Sequence, residues 1–129
     1  MGHGLTSVLL VAIGGALGGM GRFAISNWMA QRFGSSFPWG TLAVNTSGAF
    51  IAGWLFGQLG QANAQLSALG LFTVIGVLGG YTTVSSFSLQ TLALWQRGQL
   101  LRAALNITAT LLLGLVMAAL GFWLAGGAL

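Results

Sequence analysis

Five hydroxyl groups fall within seven residues of an otherwise apolar chain: Thr82, Thr83, Ser85, Ser86 and Ser88, preceded by Gly79 and Gly80. Two adjacent glycines and two β-branched threonines weaken a helix. The pattern therefore predicts a break in the helix that carries them. Carbonyls freed by such a break suit a cation, whereas hydroxyl and amide hydrogens suit an anion. The competing reading is structural: Ser and Thr bond back to the preceding helical turn and only bend it. Asn45 is a second polar island, flanked by Thr41, Thr46 and Ser47. Its amide either serves a ligand or makes an interhelical hydrogen bond. Arg22 either snorkels to an interface or lines an aqueous vestibule. Phe87 follows Val84 at helical spacing, and the positive edge of its ring can touch a small anion or simply pack. Asn106, Thr110, Gly114 and Ala118 form a stripe at spacing four, polar over its first two members only.

What the chain lacks is as informative. Its 129 residues include no Asp, Glu or Cys, and only 3% are charged, against roughly 25% in a soluble domain. Paired carboxylates, carboxylate metal sites, acid-assisted triads, disulfides and Cys-zinc sites are all excluded. One His, near the N-terminus, has no acid to work with, so an enzyme is not expected. The charge of +4 comes from Arg22, Arg32, Arg97 and Arg102. These are too few and too scattered for a nucleic-acid surface, and anions are the partners to consider.

With 56% hydrophobic residues and a mean hydropathy of +0.90, the elements positioning these groups are membrane spans of about 20 residues each. Four apolar runs are present, over residues 5–28, 40–59, 68–95 and 103–125. They leave room for short connections and no separate soluble domain. The expected architecture is an all-α integral membrane protein, one four-helix domain over residues 1–129, with the third helix broken near 79–83. Gly34, Ser35, Ser36 and Pro38 mark the first turn, and Trp39 stands where an interfacial aromatic belongs. Residues 58–67 read as a polar, uncharged connection. Glycine pairs four apart (14/18, 15/19, 53/57 and 76/80) let helix backbones approach closely. Four short helices cover little of a polar pathway alone, so an oligomer is expected.

Taken together, GGALGGMGRF with Arg22, PWGTLAVNTSG with Asn45, GGYTTVSSFS in the third run and LGFW near the end resemble the Fluc (CrcB) family of small fluoride channels. The resemblance covers essentially the whole chain. It implies an antiparallel, dual-topology dimer in the cell membrane with two fluoride pathways. It also implies a sodium ion at the dimer centre, held by the backbone carbonyls of Gly79 and Thr82 from each subunit. By the same resemblance Asn45 donates to fluoride, Arg22 supports the vestibule, and Phe87, Val84, Ser85, Ser86, Asn106 and Thr110 line the pathway. The chain departs from the family pattern in three places. Val84 replaces a second phenylalanine, Gln90 stands where a carboxylate is frequent, and the fourth-helix stripe fades after Thr110. The implied activity is passive movement of fluoride down its gradient, lowering cytoplasmic fluoride.

Arg32, Arg97 and Arg102 are expected in the two connections on one side, opposite both termini, which favours a single orientation. A dual-topology homodimer needs that weak bias to be overridden. The alternative is a one-orientation subunit paired with a paralogue. A small multidrug exporter would need a membrane-embedded carboxylate, which this chain lacks. A non-conducting assembly subunit would use its glycines for packing alone.

Overall fold

A computed structural model describes residues 2–62 and 70–126. Helix α1 (Gly2–Phe33) spans 32 residues, about 48 Å at 1.5 Å per residue. It stops at Gly34, whose φ of +82° suits a residue without Cβ and whose N–H donates to the Ala30 carbonyl at 2.9 Å. Pro38, which has no N–H to satisfy, precedes α2 (Trp39–Ala62). A π-helical segment (Leu71–Val77) runs into the short α3 (Leu78–Tyr81). Thr82 and Thr83 are extended, and α4 (Val84–Gln96) follows them. After a turn with Gly98 at φ +78°, α5 (Leu100–Leu124) is the last of the described elements. Among the described residues there is no strand.

Two glycine-lined contacts hold these helices together. Gly14 and Gly18 of α1 face backbone atoms of Phe72, Gly76, Val77 and Tyr81, and Gly80 faces the backbone of Gly15. On the other side of the bundle, Gly53 and Gly57 of α2 meet the backbones of Ala118 and Phe122, while Gly121 of α5 meets Phe50. A methyl group on Gly14, Gly18, Gly53, Gly57, Gly80 or Gly121 would collide with main chain. Such contacts replace the hydrophobic drive that lipid does not supply.

The apolar residues are distributed as lipid requires. The buried core is small (Leu42, Val44, Leu78, Leu94, Ala103, Ala125), whereas Leu101, Leu115 and Phe23 are each about 70% exposed. Residues 4–33 and 100–124 are long and apolar enough to cross a membrane. With 3% charge overall, so much exposed hydrocarbon makes this a membrane protein.

Helix ends differ from those read from hydropathy. The helix continues past residue 28 to Phe33, because nothing in the run to Arg32 breaks it before Gly34. Arg32 thus lies in the last turn of α1 and Arg102 in the first turn of α5, not in connections. Gln58–Ala62, taken as connection, is helical, since glutamine is a good helix former. The rest of the expected connection, and the expected start of the third run at residues 68–69, lie outside the described residues.

Candidate functional site

Within the stretch 79–83 where a break was expected, the interruption falls on the two threonines and not on the two glycines. Gly79 and Gly80 are helical, and the interruption falls on Thr82 (φ −81°, ψ 155°) and Thr83 (φ −151°, ψ 120°). Close packing explains the difference: Gly80 is held against Gly15, where only glycine fits. Thr82 closes the upstream half by donating both its N–H (3.0 Å) and its Oγ1–H (2.9 Å) to the Leu78 carbonyl. Thr83 opens α4 as an N-cap, its Oγ1 accepting from the Ser86 N–H at 3.0 Å.

Asn45 splints the gap. Its Nδ2 donates to the Thr83 carbonyl at 2.8 Å, and its Oδ1 accepts from the Thr83 N–H at 2.7 Å. The side-chain amide thus pairs with one peptide group as a strand would, and a single N–H of Asn45 is left for anything else. Two residues along α2, Ser47 donates to the Val44 carbonyl (3.1 Å), so the Tyr81 hydroxyl is the donor in its 2.9 Å bond with Ser47.

The splint and the cap have a shared consequence for two carbonyls. In a continuous helix the Gly79 carbonyl would accept from Thr83 N–H, and that of Thr82 from Ser86 N–H. Those two N–H groups go to Asn45 Oδ1 and Thr83 Oγ1 instead. The Gly79 and Thr82 oxygens are therefore released from the helical ladder. Gly79 and Thr82 border, with Asn45, a groove of about 420 Å³, and a Cβ at Gly79 would touch nothing.

The remaining expected site residues fall in small groups and not in one cluster: Arg22 with Ser86, and Asn106 linked through Thr91 to Phe87. Arg22 lines a cavity of about 680 Å³ together with Thr41, Ser86 and Gln90. Phe87 borders an apolar groove beside Thr91 and Leu111, while Val84 is 77% exposed and Ser85 is exposed with its Oγ 3.1 Å from Thr83 Oγ1. Asn106 is 1% exposed. Its Nδ2 donates to Thr91 Oγ1 at 2.9 Å, and Thr91 in turn donates to the Phe87 carbonyl at 2.7 Å. Asn106 Oδ1, Thr110 Oγ1 and Gln90 Oε1 are buried without a hydrogen-bond partner among the described residues.

Three contributors escaped the sequence reading: Thr83 as the splinted residue, Thr91 as the orienting partner of Asn106, and Thr41 as a cavity-lining hydroxyl. Thr91 could have been suspected from lying one helical turn after Phe87. Its 15-residue separation from Asn106 carries no sequence signal.

A family model described as CrcB-like protein, Camphor Resistance (CrcB), matches residues 9–122. The chain is 51% identical over 120 residues to the fluoride-specific ion channel FluC 2 of Rhodopseudomonas palustris (strain BisB18), covering 92% of each chain. It is 49% identical over 122 residues to the fluoride-specific ion channel FluC of Opitutus terrae, again covering 92% of each. With the fluoride-specific ion channel FluC of Thermus thermophilus it shares 46% over 123 residues, covering 95% of this chain and 96% of that one.

Proposed function

Since the chain belongs to the CrcB-like family, we propose that it is a fluoride-selective channel that lets fluoride leave the cell passively across the cell membrane. The observation that carries the reading is the splinted break, Asn45 on Thr83, in a chain that shares 51% of its residues with a fluoride-specific channel over 92% of its length. Backbone without a helical ladder is tolerated at membrane depth only where protein or a water-filled path covers it. A break of this kind is a place where ions are handled.

Fluoride holds its water tightly, so a pathway must offer donors in place of that shell. The free N–H of Asn45, the Ser85 and Ser86 hydroxyls and the Phe87 ring edge are the groups available to do so. Val84 stands beside them as an apolar wall. Arg22 draws anions into the vestibule that Ser86 also lines. Asn106 and Thr110 supply the fourth-helix stripe. Val84 and Phe87 are on the outer surface of a single protomer, so the pathway is completed by a second subunit. We favour an antiparallel homodimer of four-span subunits, the break lying at mid-membrane depth.

The released carbonyls of Gly79 and Thr82 fit a sodium ion, a hard cation satisfied by oxygen. In the dimer these residues from each subunit would hold it, and its charge would lock the two breaks together.

One observation favours a second arrangement. Arg32, Arg97 and Arg102 share one end of the bundle, which biases insertion toward a single orientation. A subunit so fixed would pair with an oppositely oriented paralogue. Both arrangements are separated by liposomes containing this chain alone and followed with a fluoride electrode. Rapid fluoride release with retained chloride supports the homodimeric channel. Silence from a well-folded protein that conducts once a paralogue is co-expressed supports the paired one, and silence in both defeats the channel reading.

A further inference from the structure

We propose that the arginine end of the bundle holds the phosphate of an anionic phospholipid headgroup, in a pocket formed by the first turn of α2, the end of α4 and Arg97. The pocket has a volume of about 200 Å³ and is bordered by the 34–38 loop, Thr41, Gln90 and Arg97. Four features converge on an anion there. The N–H groups of Trp39 and Leu42 find the Phe37 and Pro38 carbonyls, which leaves those of Gly40 and Thr41 at the positive end of a 24-residue helix. Thr41, only 5% exposed, lines the pocket with a hydroxyl that takes no hydrogen bond among the described residues. Gln90 also borders the pocket, with an amide that carries two N–H donors. Arg97 is exposed, and no Asp or Glu exists anywhere in the chain to neutralise it.

The surroundings select a lipid as the source of the phosphate. Trp28, Trp39 and Trp95 are 55%, 44% and 63% exposed around this end, the positions of an aromatic belt at headgroup level. Arg32, stacked 5.6 Å from the Trp28 ring centre, and Arg102 add two more cations without counterions at the same end. An anionic headgroup therefore meets a desolvated donor cluster and a cationic rim together. Thr41 and Gln90 also line the Arg22 cavity, so the site adjoins the vestibule of the fluoride reading; its test reads lipid preference and not efflux, so either can fail without the other.

The test uses two single-tryptophan proteins, one keeping Trp39 in the pocket and one keeping Trp123 near the opposite end, in phosphatidylcholine vesicles. A minor fraction of brominated phosphatidylglycerol or brominated phosphatidylcholine serves as quencher. The apparent affinity of the Trp39 site for phosphatidylglycerol should exceed that for phosphatidylcholine by about fivefold, the ratio equivalent to about 1 kcal/mol per arginine near an anionic surface. Trp123 should show no preference. Arg97→Gln should abolish the preference and Arg97→Lys should keep it, with elution in detergent showing that both variants are folded. Equal quenching by the two lipids, or a preference that survives Arg97→Gln, overturns the site. Loss of the preference in inorganic phosphate at matched ionic strength assigns the pocket to free phosphate and overturns the lipid.

Discussion

Replacing Asn45 by leucine removes both hydrogen bonds of the splint while keeping the side-chain volume similar. Thr83 is only 7% exposed, so its N–H and C=O lose Asn45 as partner in a place water does not reach. Each unsatisfied group costs about 1–3 kcal/mol, which sums to roughly 2–6 kcal/mol for the pair, a large part of the stability of a protein this size. The chain has one escape: Thr83 can turn helical and return its N–H to the Gly79 carbonyl, healing the break. Asn45→Leu should therefore either fail to fold or fold with a continuous third helix and no fluoride efflux. Heating in detergent followed by size-exclusion chromatography measures the first outcome, and efflux from liposomes the second. Asn45→Asp sharpens the test, because it keeps the acceptor for Thr83 N–H but sets a carboxylate oxygen against the Thr83 carbonyl. It should be impaired nearly as much. A stable Asn45→Leu protein that conducts at the parental rate would refute the role given to the splint.

Other substitutions probe the packing and the polar stripe. Gly80→Ala drives a methyl group into the Gly15 backbone and should abolish the folded protein, whereas Gly114→Ala, where a Cβ meets nothing within 4 Å, should leave thermal stability unchanged. Thr83→Val removes the N-cap of α4 and should lower stability by about 1 kcal/mol, a loss that Thr83→Ser restores. Thr91→Val frees the Asn106 amide from its only partner among the described residues and should slow fluoride efflux. It should add nothing in an Asn106→Leu background, and additive losses in that double mutant would show that Thr91 acts by another route.

The four apolar runs and the turn at Gly34–Pro38 were legible because hydrocarbon thickness and glycine's backbone freedom act locally. Within the expected stretch 79–83, the break falls on the threonines and not on the glycines for a tertiary reason. Glycine weakens an isolated helix, yet Gly80 is kept helical by the close approach of Gly15, and the interruption is left to the threonines that Asn45 could hold. Asn45 and Thr83 are 38 residues apart, and no local pattern links them. The π-helical stretch Leu71–Val77 has no compositional mark, since its residues differ little from those of the helices around it. Asn45 and Arg22 stood out because polar groups are costly in a bilayer. The Thr91–Asn106 pair stayed hidden because a threonine inside a helix is unremarkable until its partner is seen.

Passive fluoride conduction is tested most directly in a planar bilayer containing the purified protein, with unequal fluoride concentrations on the two sides and chloride as the balancing anion. The reversal potential should sit near the fluoride equilibrium potential and remain there when a pH gradient is imposed. A reversal governed by chloride, or a fluoride flux that appears only with a proton gradient, would contradict a selective channel.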